Sequence, residues 1–118
     1  MLFRSAEKGC DGFVFRGDDG LDEISLATTT SVLSIGNDEI KSDRIDAKDF
    51  GLQNSPLEEI VGGDAQENAQ ISRAIFAGER GAPRDAVLLN AAAAIAAFEG
   101  DLASDIKSRI SEIGRAHV

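Results

Sequence analysis

The sequence predicts an α/β domain: a strand, a β-hairpin and then consecutive helices. Three observations carry that expectation. Phe13-Val14-Phe15 is a short, continuous apolar run, the pattern of a strand covered on both faces. Two strand-like stretches flank Gly36-Asn37-Asp38, a turn tripeptide, as a hairpin requires. From residue 55 onward, helix-start residues alternate with glycine stops.

In chain order, residues 6–9 are predicted to be the tail of a helix stopped by Gly9. Residues 12–16 follow as the buried strand. The stretch Gly17-Asp18-Asp19-Gly20-Leu21-Asp22-Glu23-Ile24-Ser25 is then a tight loop, bracketed by glycine and dense in carboxylates. Residues 28–35 begin β-branched and then alternate, so they are expected as a strand. Residues 39–45 return from the turn, with Ile40 and Ile45 as their apolar members. The weak alternation leaves one face of the hairpin wet. A connector follows, anchored by Phe50 and Leu52. Ser55-Pro56-Leu57-Glu58 has the form of a capping box opening a short helix that ends at Gly62-Gly63. Asp64-Ala65-Gln66-Glu67 is a second capping box, opening a longer helix that ends at Gly78 with Ile71 and Ile75 on its apolar stripe. Residues 83–98 are apolar nearly all round, which predicts a helix buried on most sides. Gly100 stops it, and residues 101–112 form a fourth, amphipathic helix. One strand and a hairpin cannot build a self-sufficient sheet over so apolar a helix, so further strands are expected upstream.

Composition narrows the function. A net charge of −9 argues against nucleic-acid binding, which needs stripes of Lys and Arg, and against docking on anionic membranes. Acidity by itself serves solubility. An acidic chain that handles phosphates, however, needs cations between itself and its ligand. The single cysteine, Cys10, rules out an intramolecular disulfide and points to a reducing, cytoplasmic compartment; it is read as a packing residue rather than a nucleophile. No run is apolar enough to span a bilayer.

Both ends read as translated adapter. Residues 1–5 can be encoded by a string containing CTCTTCCGATCT, and residues 112–118 by one containing AGATCGGAAGAG, its reverse complement. Residues 1–5 and 113–118 are therefore expected to be scar, leaving residues 6–112 as one partial α/β domain.

Oxygen-rich loops suit hard cations, and the acidic loop is the candidate metal site. Taken alone, it is equally compatible with a structural cation or a solvated turn. Four blocks in register narrow the choice. GDDGLDEIS (17–25), DFGL (49–52), GGDAQENA (62–69) and RDAVLLNAAAA (84–94) resemble, in order and spacing, anthranilate phosphoribosyltransferase. The resemblance covers about residues 6 to 111. It implies a partial, C-terminal portion of a phosphoribosyltransferase α/β domain. It implies transfer of the phosphoribosyl group of phosphoribosyl pyrophosphate to anthranilate in tryptophan synthesis, and a homodimeric parent whose dimer helices lie outside this chain. By motif match it places Mg²⁺ on Asp22 and Glu23. It makes none of the other residues catalytic, because the family's glycine-rich pyrophosphate loop and anthranilate-side arginine lie upstream. Members often carry His where this chain has Arg16.

The remaining motif residues have structural readings. Asn90 is expected to satisfy a buried backbone group. Arg84 and Asp85 are expected to form a local ion pair or cap, with a phosphate clamp as the alternative. Asp18 and Asp19 are read as solvated carboxylates, with support of the metal site as the alternative. Two competing functions stay open: a related nucleoside phosphorylase or paralogue, and a non-enzymatic acidic module that binds a cation.

Overall fold

Three strands form one antiparallel sheet in the computed structural model, which describes residues 7–100 and 105–117, the last three without their side chains. Residues 1–6, 101–104 and 118 lie outside the described residues, so the N-terminal segment expected to be scar falls there. The strands are β1 (Gly12–Gly17), β2 (Thr30–Gly36) and β3 (Glu39–Ile45), in the order β1-β2-β3. After a 3-10 turn over Ala47–Phe50 and another over Leu57–Glu59 come three helices: α1 (Ala65–Phe76), α2 (Ala82–Glu99) and α3 (Ile106–His117). The α/β class and the order strand, hairpin, helices are as expected.

The hairpin turn is chemically determined. Gly36 pairs with Glu39, leaving a two-residue loop, and Asn37 and Asp38 both adopt positive φ, 52° and 59°. Two consecutive left-handed residues make the type I′ turn that matches strand twist, and Asn and Asp tolerate that region better than most side chains.

β1 departs from the reading of its apolar run. It pairs antiparallel with β2 from Gly12↔Ile35 to Gly17↔Thr30 and lies at a sheet edge among the described residues. Phe13 and Phe15 pack toward the core with ring centroids 5.5 Å apart, while Val14 on the other face is 43% exposed. The run therefore alternates, although an apolar outward residue hides the alternation.

Both predicted capping boxes can be compared. Asp64 accepts from the Glu67 N–H at 2.9 Å and Glu67 accepts from the Asp64 N–H at 3.1 Å, as expected for α1. The box at Ser55 does not form. Leu57–Glu59 makes only a single 3-10 turn with no side-chain cap, and the Ser55 N–H goes instead to the Leu26 carbonyl. A third box escaped the sequence reading: Asp46 and Asp49 cap Ala47–Phe50 reciprocally, and Gly51 closes it with φ 74°.

The core lies between the sheet, α2 and α3. Val32 and Ile45 come from the sheet, Leu89, Ala92, Ala93 and Ala96 from α2, and Ile106, Ile110 and Ile113 from α3. Ile24 and Leu26, from the acidic loop, are fully buried in the same cluster. α2 is covered on one side only. Val87 is 48% exposed and Phe98 93%, contrary to the expectation of burial on most sides. No residue of α1 is buried, and its stripe residues Ile71 and Ile75 line a shallow cleft against Pro83 and Arg84 at the start of α2. α3 continues past residue 112, and Ile113, set outside the domain by the sequence reading, is 4% exposed within the core.

Candidate functional site

The loop between β1 and β2 carries the predicted metal pair, and its shape follows from side-chain-to-backbone hydrogen bonds. The Asp18 N–H donates to the Thr29 carbonyl at 2.9 Å and closes the mouth of the loop. Inside it, the Gly20 N–H donates to Gly17 and the Gly17 N–H to Leu21, both at 2.9 Å, with Gly20 at φ 95°. That turn needs glycine at residue 20, because a Cβ at such a φ is strained.

Asp19 locks the turn from within. Its Oδ1 accepts from the Leu21 N–H at 3.1 Å, and its Oδ2 accepts from the Ser25 hydroxyl at 2.6 Å. Ser25 is fully buried; its Oγ accepts from the Ala27 N–H, and its own N–H donates to Thr30 Oγ1, each at 3.0 Å. Asp18 is tied to the sheet by the Arg44 guanidinium and the Thr29 hydroxyl. The hydrogen bonds from Arg44 and Thr29 hold the Asp18 carboxyl below the usual range. Neither Asp18 nor Asp19 is a merely solvated carboxylate: both are structural members of the loop.

The far side of the loop is fastened to the helices and the connector. Asn90, in the middle of α2, accepts at Oδ1 from the Ile24 N–H at 2.9 Å. Its Nδ2 donates to the Ile24 carbonyl at 3.1 Å and to the Ala86 carbonyl at 3.0 Å. The expectation that Asn90 satisfies buried backbone groups is thus met, and the group is the peptide that follows the acidic pair. The Leu26 carbonyl accepts from the Ser55 N–H and from Asn54 Nδ2, both at 3.1 Å.

Asp22 and Glu23 sit between these fastenings. Both are exposed, and neither carboxylate has a hydrogen-bond or ion-pair partner among the described residues. Ile24, Ser25 and Leu26, which follow at once, are 0–1% exposed. The pair is therefore two free, solvent-facing carboxylates on a buried footing. Two carboxylates suit Mg²⁺, which keeps several waters and is commonly held by one or two carboxylates together with substrate phosphates. No group of three His, Cys, Asp or Glu that could hold an ion occurs among the described residues. Two free carboxylates are a donor pair that fits a cation shared with water and phosphate oxygens.

The other motif blocks resolve as architecture. A Cβ on Gly63 would lie 1.4 Å from Glu67 Oε2, and one on Gly62 would lie 2.1 Å from Asn68 Oδ1. The glycines are present because the capping side chains fold back over them. Asn68, not singled out in the sequence, holds the Gly63 N–H at 2.9 Å and its carbonyl at 3.2 Å. Arg84 and Asp85 form neither an ion pair nor a side-chain cap among the described residues; Gly81 is the N-cap of α2. Cys10 is exposed rather than packed. Ser25 and Thr30 were also missed, and their only sequence signal is a polar residue at the edge of an apolar run.

The family described as glycosyl transferase family, a/b domain, matches residues 5–114. The anthranilate phosphoribosyltransferase of Rhodococcus jostii (strain RHA1) is 50% identical over 95 residues, covering 80% of this chain and 26% of the relative. That of Thermobifida fusca (strain YX) is 43% identical over 111 residues, covering 94% of this chain and 32% of the relative. The solved structure of anthranilate phosphoribosyltransferase from Saccharomyces cerevisiae in complex with PRPP and Mg superposes with a TM-score of 0.72 at 24% identity. It is covered over 30% of its chain by 90% of this one. The chain thus spans about a quarter to a third of the length of the relatives it matches. The resemblance drawn from the four motif blocks is borne out.

Proposed function

Because the chain belongs to the glycosyl transferase family, a/b domain, we propose that it is part of an anthranilate phosphoribosyltransferase and supplies that enzyme's Mg²⁺-holding pair, Asp22 and Glu23. The observation that carries the reading is the free, exposed carboxylate pair standing on fully buried Ile24–Leu26. The Saccharomyces relative whose structure holds PRPP and Mg supports the choice of ion and substrate.

In this reading, phosphoribosyl pyrophosphate gives up its pyrophosphate and the amino nitrogen of anthranilate takes the ribose carbon, releasing one proton. When bound, Mg²⁺ supplies neutralisation and orientation of the departing charge. Asp22 and Glu23 contribute hard oxygen donors and leave the remaining positions to water and phosphate oxygens. The chain's own net charge of −9 would otherwise repel a pyrophosphate, which is why a cation must lie between them. Asp19, Ser25 and Thr30 hold the loop's shape. The groups that grip ribose, phosphate and anthranilate belong to the rest of the enzyme, as do the helices of its proposed homodimer. The cytoplasm is the proposed compartment, which an exposed, unpaired Cys10 tolerates. Among the described residues, no helix is long and apolar enough to cross a membrane.

The test is a full-length graft in which residues 7–112 replace the matching segment of the Thermobifida fusca relative. The graft is expected to consume anthranilate in the presence of phosphoribosyl pyrophosphate and Mg²⁺. The double change Asp22→Asn with Glu23→Gln should lower kcat/KM by on the order of a hundredfold, the scale of a lost charge-stabilising contact. A folded graft without turnover, or a double variant with unchanged Mg²⁺ dependence, contradicts the reading.

A further inference from the structure

We propose that Asn90 is a positioning residue that sets the geometry of the Asp22–Glu23 pair through the peptide of Ile24, an inference that rests on the metal reading above. Asn90 is an unusual residue for its place. It sits mid-helix among Leu88, Leu89, Ala92 and Ala93, where asparagine has poor helix propensity and a polar side chain must find partners. It finds three, and two of them belong to one residue. Oδ1 takes the Ile24 N–H at 2.9 Å, and Nδ2 gives to the Ile24 carbonyl at 3.1 Å. The side-chain amide thereby pairs with Ile24 as a neighbouring strand would.

The consequence for the pair is geometric. The Ile24 N–H belongs to the peptide that joins Glu23 to Ile24, and the Ile24 carbonyl belongs to the next peptide. Fixing both planes fixes φ and ψ of Ile24 and the position of the Glu23 Cα, which lies in the first of those planes. On the opposite side Leu21 is held through its N–H by Asp19 and through its carbonyl by Gly17. Asp22 and Glu23 are thus a two-residue span between gripped ends. The third bond, from Nδ2 to Ala86 one turn back, keeps the Asn90 rotamer aimed at the loop. A side chain that only satisfied a stray polar group would need neither the paired geometry nor the brace. The same loop carries the donor set, so loosening the grip spreads the carboxylates over more orientations and weakens their joint hold on a cation.

The experiment uses the full-length graft and three readouts: Mn²⁺ affinity by water-proton relaxation, thermal midpoint, and kcat and KM against Mg²⁺ concentration. Asn90→Leu removes all three hydrogen bonds and keeps the number and branching of the side-chain heavy atoms. Asn90→Asp retains the acceptor and loses both donors, and it serves if the leucine variant does not fold. Leu89→Ala, at a buried α2 neighbour that makes none of the hydrogen bonds to the loop, is the stability control. Each Asn90 variant is expected to weaken Mn²⁺ by about tenfold, as changes to groups that orient ligands do. High Mg²⁺ should restore most of the turnover. Leu89→Ala should lower the midpoint and leave Mn²⁺ affinity unchanged. An Asn90 variant that lowers the midpoint with metal affinity unchanged makes Asn90 a purely structural residue and overturns the proposal. The change Asp22→Asn with Glu23→Gln separates the two ideas. If it too leaves Mn²⁺ affinity unchanged, the metal reading itself has failed; if it abolishes binding while the Asn90 variants do not weaken it, only the positioning role has.

Discussion

Gly17 shows how tightly the loop is determined by single residues. It is buried, and a Cβ there would lie 2.4 Å from Asp19 Oδ1 and 3.2 Å from Ser25 Cβ. Asp19 cannot simply swing away, because it already holds Leu21 and Ser25. Gly17→Ala should therefore cost about 1–3 kcal/mol in urea unfolding of the full-length graft, the range for an overpacked site. Asp18 makes a pH prediction. Its folded value lies below the ordinary 3.8, chiefly through the hydrogen bond from Arg44. A depressed acid stabilises the fold above its unfolded value, and that stability is lost as pH falls through the folded value. Asp46 shifts the same way, through the Lys48 N–H. Stability should then decline below about pH 4, and Arg44→Gln should move the acid transition upward in a circular-dichroism titration. At this scale the sequence was legible in part. Asp22, Glu23 and the polar role of Asn90 could be read, because each is a chemical misfit in its surroundings. Ser25 and Thr30 could not, because their partners lie across a loop whose closure no local pattern announces.

Among the elements, the helices separate into those secured by local chemistry and those secured by packing. α1 buries no residue, so its capping box carries much of its stability. Asp64→Ala should cost about 1 kcal/mol and increase amide exchange in the first turn of α1. α3 is held by Ile106, Ile110 and Ile113, each 5% exposed or less. In the full-length graft, Ile110→Ala should destabilise by about 2–5 kcal/mol, as deletions of buried aliphatic side chains do, measurable by thermal or urea unfolding. Element order and the hairpin were legible because turn chemistry and caps are local. The failed box at Ser55 shows the limit. Three residues of turn between Pro56 and Ile60 give too little helix to offset the cost of nucleation, and Val61 beyond them stays 61% exposed. Capping residues permit a helix, but packing decides whether it continues. β1 differs from its reading for a related reason: its edge position among the described residues is set by which strands pair, and that is not written within the strand.

At the scale of the whole molecule, the chain is looser and shows more apolar surface than a closed domain of its length. Its radius of gyration is 14.8 Å, above the roughly 13.5 Å expected of a compact domain of its length. Phe76, Phe98, Val61, Val87 and Val14 are all exposed, and the relatives it matches are about three times as long. The isolated chain is therefore expected to bind a hydrophobic dye and to unfold over a broad range, while the full-length graft unfolds cooperatively and binds little dye. Nothing local in the sequence states how much of α2 is covered, since coverage depends on segments that pack from elsewhere. The proposed metal chemistry rests on one pair of side chains. A crystal structure of the graft with phosphoribosyl pyrophosphate and Mg²⁺ tests it most directly. The account predicts Mg²⁺ coordinated by oxygens of Asp22 and Glu23 at about 2.0–2.1 Å and by pyrophosphate oxygens, with the Ile24 peptide still paired to Asn90. Substrate-bound Mg²⁺ held elsewhere, with both carboxylates in solvent, would contradict it.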